Sequence, residues 1–316
     1  MNTAAAPPTG ALVVGGGFIG SHVARGFVRR GVRTTVLTRT RPDPRTRARI
    51  GDSQLLVGDA SQVDLVDEAI EGVECVVWCA GGLLPAESNR HPAEDVASQL
   101  EPLLIMLGRL VQREATRIVL ISSGGTVYGN PSGLPVSENY VPRPLTSHGV
   151  TRLAAEHYLG LYQDVFGVPS VALRCANVYG EGQRADRSQG VIAATLARVQ
   201  RGAPVPLFGA GSSVRDYLYV DDLVGVLGGL LTHAELPRVI NVGSGVGTSL
   251  NELLRLIETV TGRSVEIERY PARPGDVGSI VLDISLLESI VRFQPTTLHD
   301  GLVQTWEAVV DSERVL

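Results

Sequence analysis

The chain has 316 residues, of which 44% are hydrophobic and 19% are charged, and its formal net charge is −5. This balance is typical of a folded globular protein and excludes a disordered chain. The negative net charge argues against a nucleic-acid partner or an anionic membrane surface. The N-terminal sequence lacks a basic, apolar leader, and no apolar stretch approaches the roughly 20 residues of a membrane span, so we expect a cytoplasmic protein.

The lysine and cysteine content narrows the possible chemistry. The sequence contains no lysine, so its 28 basic residues are all arginine and no lysine can act as a catalytic amine. Cys75, Cys79 and Cys175 form no CxxC pair and no ligand cluster, so we expect no metal site. Cys75 and Cys79 lie on one apolar run and are expected to be small core residues.

Strands alternate with helices along the first part of the chain. Apolar stretches predict strands at ALVVGG, TTVLT, QLLVGDA, CVVWCA, RIVLISS and SVALRCANV. Helices are predicted between them, from Phe18 to a stop at Gly31, near 62–71, near 95–113 and from near Ser147. This alternation is typical of βαβ units and predicts an α/β protein with a doubly wound parallel sheet of the Rossmann type over residues 1–177.

The rhythm changes after Val178, where Gly- and Pro-rich turns such as GAPVPLFGAGSS appear. A helix near 221–233, the strand VINVG, a helix near 249–261 and the strand SVEIERY follow. We therefore expect residues 178–316 to form mainly a smaller C-terminal substrate-binding lobe, interleaved with returns to the main sheet near 209–236. The basic stretch RTRPDPRTRARI is expected to be a solvated loop.

A glycine-rich turn follows the first strand and opens the first helix. Gly15, Gly17 and Gly20 match the pattern G-x-G-x-x-G. The glycines let the backbone turn tightly and approach a pyrophosphate, and the helix N-terminus offers unpaired N–H groups to the anion. We therefore expect this turn, with Phe18 and Ile19 at the start of the helix, to bind a dinucleotide.

The end of the second strand indicates which dinucleotide is bound. NAD sites usually carry Asp or Glu at this point, where the carboxylate holds the ribose 2′-hydroxyl. This chain has Thr38 there, followed by Arg39 and Arg41. Because arginine attracts a 2′-phosphate that a carboxylate would repel, the sequence favours NADP(H), with NAD(H) as the alternative.

Two further turns are expected beside the cofactor. Asp59, in the sequence VGDA, is a candidate for contact with the adenine edge. The turn at 79–82, which includes Ala80 and Gly81, follows the fourth strand and should also lie against the cofactor.

Taken together, these motifs resemble the extended short-chain dehydrogenase/reductase family, which contains nucleotide-sugar epimerases, dehydratases and ketoreductases. GGGFIGSH resembles the family's cofactor turn, GDA (Asp59 and Ala60) its adenine contact, and SSGGTVYG its fifth-strand motif. LRCANVYGEGQ resembles the segment between cofactor and sugar nucleotide, FGAGSSVRDYLYVDDLV the Arg-Asp substrate motif, and INVGSG and RPGDV fit the C-terminal lobe. Val14 stands where members often have a further glycine. The resemblance runs nearly end to end and implies a nucleotide-sugar substrate.

The resemblance also locates the active site, where this chain departs from the family. The family's tyrosine, which exchanges a proton with the substrate oxygen, falls on His148. Its lysine, which holds the nicotinamide ribose, falls on Arg152. A supporting Ser or Thr falls on Gly124, so Ser123 and Thr126, which flank it, are the expected substitutes.

His148 and Arg152 lie four residues apart and therefore share one face of the predicted helix. An unperturbed histidine titrates at about pH 6.5, so an imidazolium could donate a proton. A fixed cation at Arg152 disfavours the imidazolium and makes this acid scarcer near neutral pH. Arg152 can still donate hydrogen bonds to ribose hydroxyls, because that role needs donors and not a titratable amine.

The resemblance also implies substrate contacts and a partner. Arg215 in SSVRDY and Arg273 in ARPGD resemble family arginines that clamp a nucleotide diphosphate. Asn177 in CANVYG resembles a residue that binds the diphosphate or the sugar. By the same resemblance, we expect a homodimer formed through the helices near 95–113 and 147–167.

Three functions are compatible with these features. The first is NADP-dependent reduction of a nucleotide-linked keto sugar, of the deoxysugar ketoreductase type. The second is an NAD-dependent nucleotide-sugar epimerase or dehydratase, which is weakened by the absence of an acidic residue after the second strand and of the tyrosine. The third is a catalytically degenerate nucleotide-binding scaffold or partner protein, which the replacements at Gly124, His148 and Arg152 favour.

Overall fold

The computed structural model describes residues 6–83, 85–113, 116–185, 190–272 and 278–314. Its strands are β1 (Gly10–Val14), β2 (Arg33–Thr38), β3 (Gln54–Val57), β4 (Cys75–Trp78), β5 (Arg117–Ser123), β6 (Ser170–Cys175), β7 (Asn177–Tyr179), β8 (Val205–Phe208), β9 (Val214–Tyr219), β10 (Val239–Val242), β11 (Gly247–Ser249) and β12 (Ile267–Tyr270). Its helices are α1 (Phe18–Arg29), α2 (Pro44–Ile50), α3 (Val63–Ala69), α4 (Pro85–Ser88), α5 (Pro92–Leu110), α6 (Gly124–Val127), α7 (Ser147–Phe166), α8 (Val191–Arg201), α9 (Val220–Leu230), α10 (Leu250–Thr261), α11 (Ser285–Ile290) and α12 (Leu298–Arg314). Within the described ranges, none of these helices is long and apolar enough to cross a membrane.

One large sheet organises the chain. Its strand order is β10-β6-β5-β4-β1-β2-β3, and each neighbouring pair is parallel. From β1 the chain adds β2 and β3 toward one edge of the sheet, and from β4 it adds β5, β6 and β10 toward the other edge. The connections therefore diverge between β1 and β4 and leave a crevice at the carboxyl ends of these two strands. The doubly wound parallel sheet confirms the predicted fold class.

Apolar side chains cover both faces of this sheet, because successive residues of a strand point to opposite faces. On β1, Val13 belongs to the apolar cluster that includes residues of α1 and α9, whereas Leu12 belongs to the cluster that includes residues of α5 and α7. A Cβ atom at Gly26 of α1 would lie 2.2 Å from Val224 of α9, so glycine is required for these helices to approach so closely. Helices on both faces are typical of parallel sheets.

The predicted strand SVALRCANV divides at Ala176. β6 ends at Cys175 in the large sheet, while β7 begins at Asn177 and pairs with β9 in a smaller sheet that also contains β11. β8 and β12 form a separate parallel pair, and β10 returns to pair with β6. The chain therefore crosses between the large sheet and the smaller ones beside the carboxyl end of β6, which places Asn177 at the crevice.

The basic stretch that was expected to be a loop contains α2. The Asp43 carboxylate accepts hydrogen bonds from the backbone N–H groups of Arg45 and Thr46, each at 3.0 Å, and Pro44 occupies the first turn. Gly51 follows with a φ of 57°, a left-handed conformation that commonly ends a helix. The expectation of an irregular loop is wrong here, since Asp-Pro is a helix start signal that the high charge of the segment obscured.

A buried ion pair joins α7 to the sheet near the carboxyl ends of β5 and β6. The Glu156 carboxylate accepts hydrogen bonds from Arg174 Nη2 at 2.7 Å, from Arg174 Nε at 3.1 Å and from Ser122 Oγ at 2.5 Å. The side chains of Glu156 and Arg174 are only 4% and 6% exposed. Each charge therefore depends on the other, because removing one partner leaves an uncompensated charge in a poorly solvated site.

Replacing Glu156 with glutamine should lower the free energy of unfolding by about 3–5 kcal/mol, because the Arg174 cation loses its counter-charge. The matched control is Asp164→Asn, since Asp164 also lies on α7 and pairs with Arg238, but both of these side chains are mostly exposed. The control should lose about 0–1 kcal/mol. Urea unfolding measures both losses, and equal losses in the two variants would contradict this account of the buried pair.

Candidate active site

A cleft of about 1820 Å³ lies at the carboxyl ends of β1, β2, β4, β5 and β6 and extends to β7 and β9. Most of the site residues predicted from the sequence lie along this cleft. They are Gly15, Gly17, Phe18, Ile19, Gly20, Thr38, Arg39, Asp59, Ala60, Ala80, Gly81, Ser123, His148, Arg152, Asn177 and Arg215. The structure thus brings the expected cofactor, catalytic and substrate residues to one continuous surface.

One predicted site residue does not line this cleft, and another falls outside the described residues. Thr126 is absent from the cleft lining, and its buried hydroxyl has no hydrogen-bond partner among the described residues. Arg273 lies within 273–277, outside the described residues. Cys79, which was predicted to be a core residue, packs against the core but is only partly buried, because it also lines the cleft.

The glycine turn is packed too closely to carry larger side chains. Gly15 has a φ of 100°, a left-handed conformation, and a Cβ atom there would lie 2.7 Å from the backbone nitrogen of Ala80. A Cβ atom at Gly20 would lie 1.8 Å from the carbonyl oxygen of Gly15. The backbone of the turn, the start of α1 and the end of β4 can therefore meet only because these positions are glycine.

The N-terminus of α1 opens into the cleft. Gly17 is the N-cap residue, it provides no side-chain cap, and the first turn of α1 carries no acidic residue. A Cβ atom on Gly17 would meet nothing within 4 Å. Free backbone N–H groups and the positive end of the helix dipole therefore face open space, which suits the pyrophosphate of a dinucleotide.

The end of β2 presents cations and no carboxylate beside Thr38. The arginines that line this side of the cleft are Arg39, Arg41, Arg45 and Arg49. Arg45 and Arg49 were not nominated from the sequence, because α2 was expected to be a solvated loop. The Asp43-Pro44 start signal of α2 could have indicated that the segment folds back toward β2.

His148 lies in the first turn of α7 and is only 9% exposed. Its backbone N–H donates a hydrogen bond to Ser88 Oγ at 3.0 Å. The ring nitrogen Nδ1 is buried and has no hydrogen-bond partner among the described residues. His148 also lines the cleft, so its ring combines contact with the ligand space and hydrogen-bonding capacity that the described residues do not satisfy.

The surroundings of His148 keep its ring neutral. Burial is the largest cause and lowers the pKa of His148, Arg152 lowers it further, and Asp95 and the backbone of Leu83 oppose the shift, so that the pKa falls to about 4. The sequence predicted the effect of Arg152 but not the larger effect of burial. At neutral pH the imidazolium is therefore a rare form, and the ring acts as a neutral hydrogen-bonding group.

Arg152 is held by the backbone at the ends of two strands. Its Nη2 donates to the carbonyl oxygen of Ala80 at 2.8 Å, and its Nη1 donates to that of Ile121 at 3.4 Å. Burial lowers the pKa of Arg152, and Asp95 is the strongest group that opposes this shift. A guanidinium remains charged in proteins, so the cleft contains a fixed cation next to His148.

The position of the family's supporting hydroxyl is closed in this chain. A Cβ atom at Gly124 would lie 2.8 Å from Leu282 Cδ1 and 2.9 Å from Leu282 Cδ2. Leu282 is 1% exposed and packs with Val127 and Tyr128. The space of a serine side chain is thus filled by an apolar one, and Ser123 is the nominated hydroxyl that lines the cleft.

A parallel sheet of this order, with a glycine turn at its switch point, defines a Rossmann-fold protein of the extended short-chain dehydrogenase/reductase type. Residues 11–243 match the NAD dependent epimerase/dehydratase family, and the chain belongs to that family. This finding confirms the resemblance predicted from the motifs. Members of the family are NAD(P)-dependent enzymes that act on nucleotide sugars.

Relatives with different activities cover most of the chain. The dTDP-4-dehydro-6-deoxyglucose reductase of Escherichia coli is 31% identical over 231 residues, which cover 73% of each chain. The structure of UDP-glucose 4-epimerase from Thermotoga maritima with UDP-glucose is 30% identical, has a TM-score of 0.90, and covers 96% of this chain and 99% of that one. The UDP-glucose 4-epimerase of Thermus thermophilus in complex with NAD is 30% identical, has a TM-score of 0.87, and covers 95% and 98%.

The neutral state of His148 should make the stability of the protein depend on pH. The unfolded chain takes up a proton on His148 at its ordinary pKa of 6.5, whereas the folded chain does so at about 4. Between these values the unfolded state binds more protons, so the folded state loses stability as the pH falls. From pH 7 to about pH 4 this one group should remove about 3 kcal/mol.

Urea unfolding at about pH 7 and about pH 4.5 measures this effect in the wild type and in His148→Gln, which lacks the titrating group. The variant should lose less stability than the wild type over this interval. Parallel losses in the two proteins would show that burial does not hold the His148 ring neutral.

Proposed function

We propose that the protein reduces a nucleotide-linked keto sugar with NADPH, as a ketoreductase of the deoxysugar type. The observation that carries the proposal is the end of β2, where Thr38 replaces a carboxylate and arginines line the cleft. A carboxylate at this point would repel a 2′-phosphate, whereas Arg39 and its neighbours can bind one through charge-assisted hydrogen bonds. The 31% identity to a reductase of a dTDP-linked keto sugar also supports the reduction of a nucleotide-linked keto sugar.

The cofactor fits the residues present. The glycine turn and the open N-terminus of α1 suit its pyrophosphate, and Asp59 and Ala60 line the cleft on the side expected for adenine. When bound, a reduced nicotinamide supplies a hydride to the carbonyl carbon of the substrate. NAD(H) remains the alternative cofactor, and it is the one held by the Thermus thermophilus relative.

His148 is the group that we assign to the substrate oxygen. The neutral ring has a single N–H, and we place it on Nδ1, the buried nitrogen with no partner among the described residues. A neutral imidazole can donate a hydrogen bond to an oxygen that gains negative charge as hydride arrives at carbon. The oxygen finally takes up one proton from solvent, which together with the hydride converts the carbonyl into a hydroxyl.

Arg152 takes the place of the family's lysine in this proposal. Its guanidinium lies at the ends of β4 and β5 and retains donors beyond those bound to Ala80 and Ile121. These donors can hold the ribose hydroxyls of the cofactor. The fixed positive charge also stabilises negative charge that develops on the substrate oxygen beside His148.

Arg215 and Asn177 are proposed to hold the nucleotide diphosphate and the sugar. Both line the smaller-lobe side of the cleft, on β9 and β7. Arg215 Nη1 donates to the carbonyl oxygens of Val214 and Gly278, which fixes the orientation of the guanidinium at the cleft. Arg273, by resemblance, would supply the second cation of this clamp.

Reduction is favoured over epimerisation by the state of His148. An epimerase must first remove the proton of a sugar hydroxyl, and a base whose conjugate acid has a pKa of about 4 accepts that proton poorly.

A specific observation favours the third candidate, a nucleotide-sugar-binding protein without turnover: Leu282 fills the space of the family's supporting hydroxyl at Gly124.

We also propose a homodimer formed through α5 and α7. Leu103, Leu107 and Leu159 of these helices are buried in the core of the chain. Val150 and Leu161, by contrast, are 55% and 47% exposed on α7. An exposed apolar surface on paired helices suits a second copy of the same chain.

The function is tested with a panel of nucleotide-linked keto sugars that begins with dTDP-4-dehydro-6-deoxyglucose, by following the loss of reduced nicotinamide absorbance. We expect consumption of NADPH in preference to NADH. Arg39→Asp should lower the NADPH-to-NADH ratio of kcat/KM by about tenfold or more, because it removes a phosphate contact and adds repulsion.

The matched control is Arg47→Asp, which makes the same change of charge as Arg39→Asp. Arg47 lies on α2 and is absent from the cleft lining. This control should keep the wild-type ratio. Absence of turnover with every sugar of the panel would reject the reductase, and an unchanged ratio in Arg39→Asp would reject the NADP preference.

A further inference from the structure

A fully buried carboxylate lies behind the first turn of α7. Asp95 of α5 is 0% exposed. It accepts hydrogen bonds from Thr151 Oγ1 at 2.9 Å, from Ser147 Oγ at 3.4 Å and from the side-chain amide of Gln99. All three donors are uncharged side chains.

The hydrogen bonds of Asp95 fasten the turn that presents His148. Ser147 precedes His148 and Thr151 lies one turn later, so Asp95 holds α7 on both sides of the ring. Ser88 Oγ accepts from the backbone N–H of His148 itself at 3.0 Å. The backbone that carries the ring is therefore held by side chains from α5 and α4 as well as by α7.

The groups that act on the charge of His148 are few. Arg152 on its own helix disfavours the protonated ring, and Asp95 from α5 favours it. Asp95 is also the strongest group that raises the pKa of Arg152, ahead of Glu156. Asp95 thus acts on both residues that occupy the family's catalytic positions.

We propose that Asp95 is a positioning residue of the reductase, which fixes the ring of His148 at the substrate oxygen through Thr151 and Ser147 and offsets the charge of Arg152. The carboxylate touches neither cofactor nor substrate, since Asp95 is fully buried and absent from the cleft lining. The kinetic part of the inference rests on the proposed function, whereas the structural part does not.

The kinetic test compares Asp95→Asn with Glu94→Gln, which removes a charge from the neighbouring exposed residue of α5. Asp95→Asn should lower kcat by about 10–100-fold, because a displaced ring no longer meets the substrate oxygen. The Kd of NADPH and the KM of the sugar should stay within about twofold of the wild type, since Asp95 contacts neither ligand. Glu94→Gln should keep the wild-type kcat.

Thr151 provides a second pair of variants that does not alter the buried charge. Thr151→Val removes the hydroxyl that donates to Asp95 and should lower kcat, whereas Thr151→Ser should restore most of that loss. A wild-type kcat in Asp95→Asn would overturn the inference. Loss of NADPH binding together with kcat would also overturn it, because that result indicates a general structural role.

The NMR resonances of the His148 ring separate this inference from the proposed function. They are identified by their disappearance in His148→Gln and need no turnover. Asp95→Asn and Thr151→Val should both shift them, and Glu94→Gln should leave them in place. Unchanged resonances in Asp95→Asn would reject the positioning role, whereas shifted resonances in a protein without reductase activity would retain it and reject only the proposed function.

Discussion

The burial of an imidazole beside a guanidinium is the constraint on which the rest of this site depends. His148 and Arg152 share one face of α7, and both are largely withdrawn from water. A charged ring next to a fixed cation in such a place is unfavourable, so His148 loses its proton and Arg152 keeps its own. Under the proposed function, the reaction then uses a neutral donor and a permanent positive charge, where the family uses a tyrosine and a lysine.

The scaffold provides carboxylates that make this arrangement tolerable. Glu156 lies one turn beyond Arg152 and accepts hydrogen bonds from Arg174, and Asp95 of α5 accepts a hydrogen bond from Thr151 of α7. Both carboxylates raise the pKa of Arg152. The site is therefore an assembly of buried opposite charges, in which the removal of one member changes the state of the others.

The sequence predicted the features that depend on local pattern. The glycine spacing together with the strand before it and the helix after it predicted a tight turn, and the structure shows close backbone approach at Gly15 and Gly20. The sequence also predicted that Arg152 lowers the pKa of His148, since residues four apart on a helix are neighbours. The doubly wound sheet followed from the alternation of strands and helices.

Other features depend on contacts between distant segments and could not be read from spacing. Leu282 fills the space at Gly124 from a segment far along the chain. In the sequence, Asp95 looks like an ordinary polar residue of an amphipathic helix. Its hydrogen bonds to α7 become visible only in the folded structure, where α5 packs against α7. The exposure of Cys79 to the cleft likewise follows from the position of β4 at the switch point, where an apolar run ends at a ligand surface.

The pH dependence of kcat at saturating NADPH and keto sugar tests the central claim most directly. If the neutral ring of His148 serves the substrate oxygen, kcat should be nearly constant from about pH 5.5 to about pH 8.5, because the ring does not change its charge in this interval. If the imidazolium is instead the working acid, kcat should fall about tenfold for each pH unit over the same interval. That decline would contradict the account.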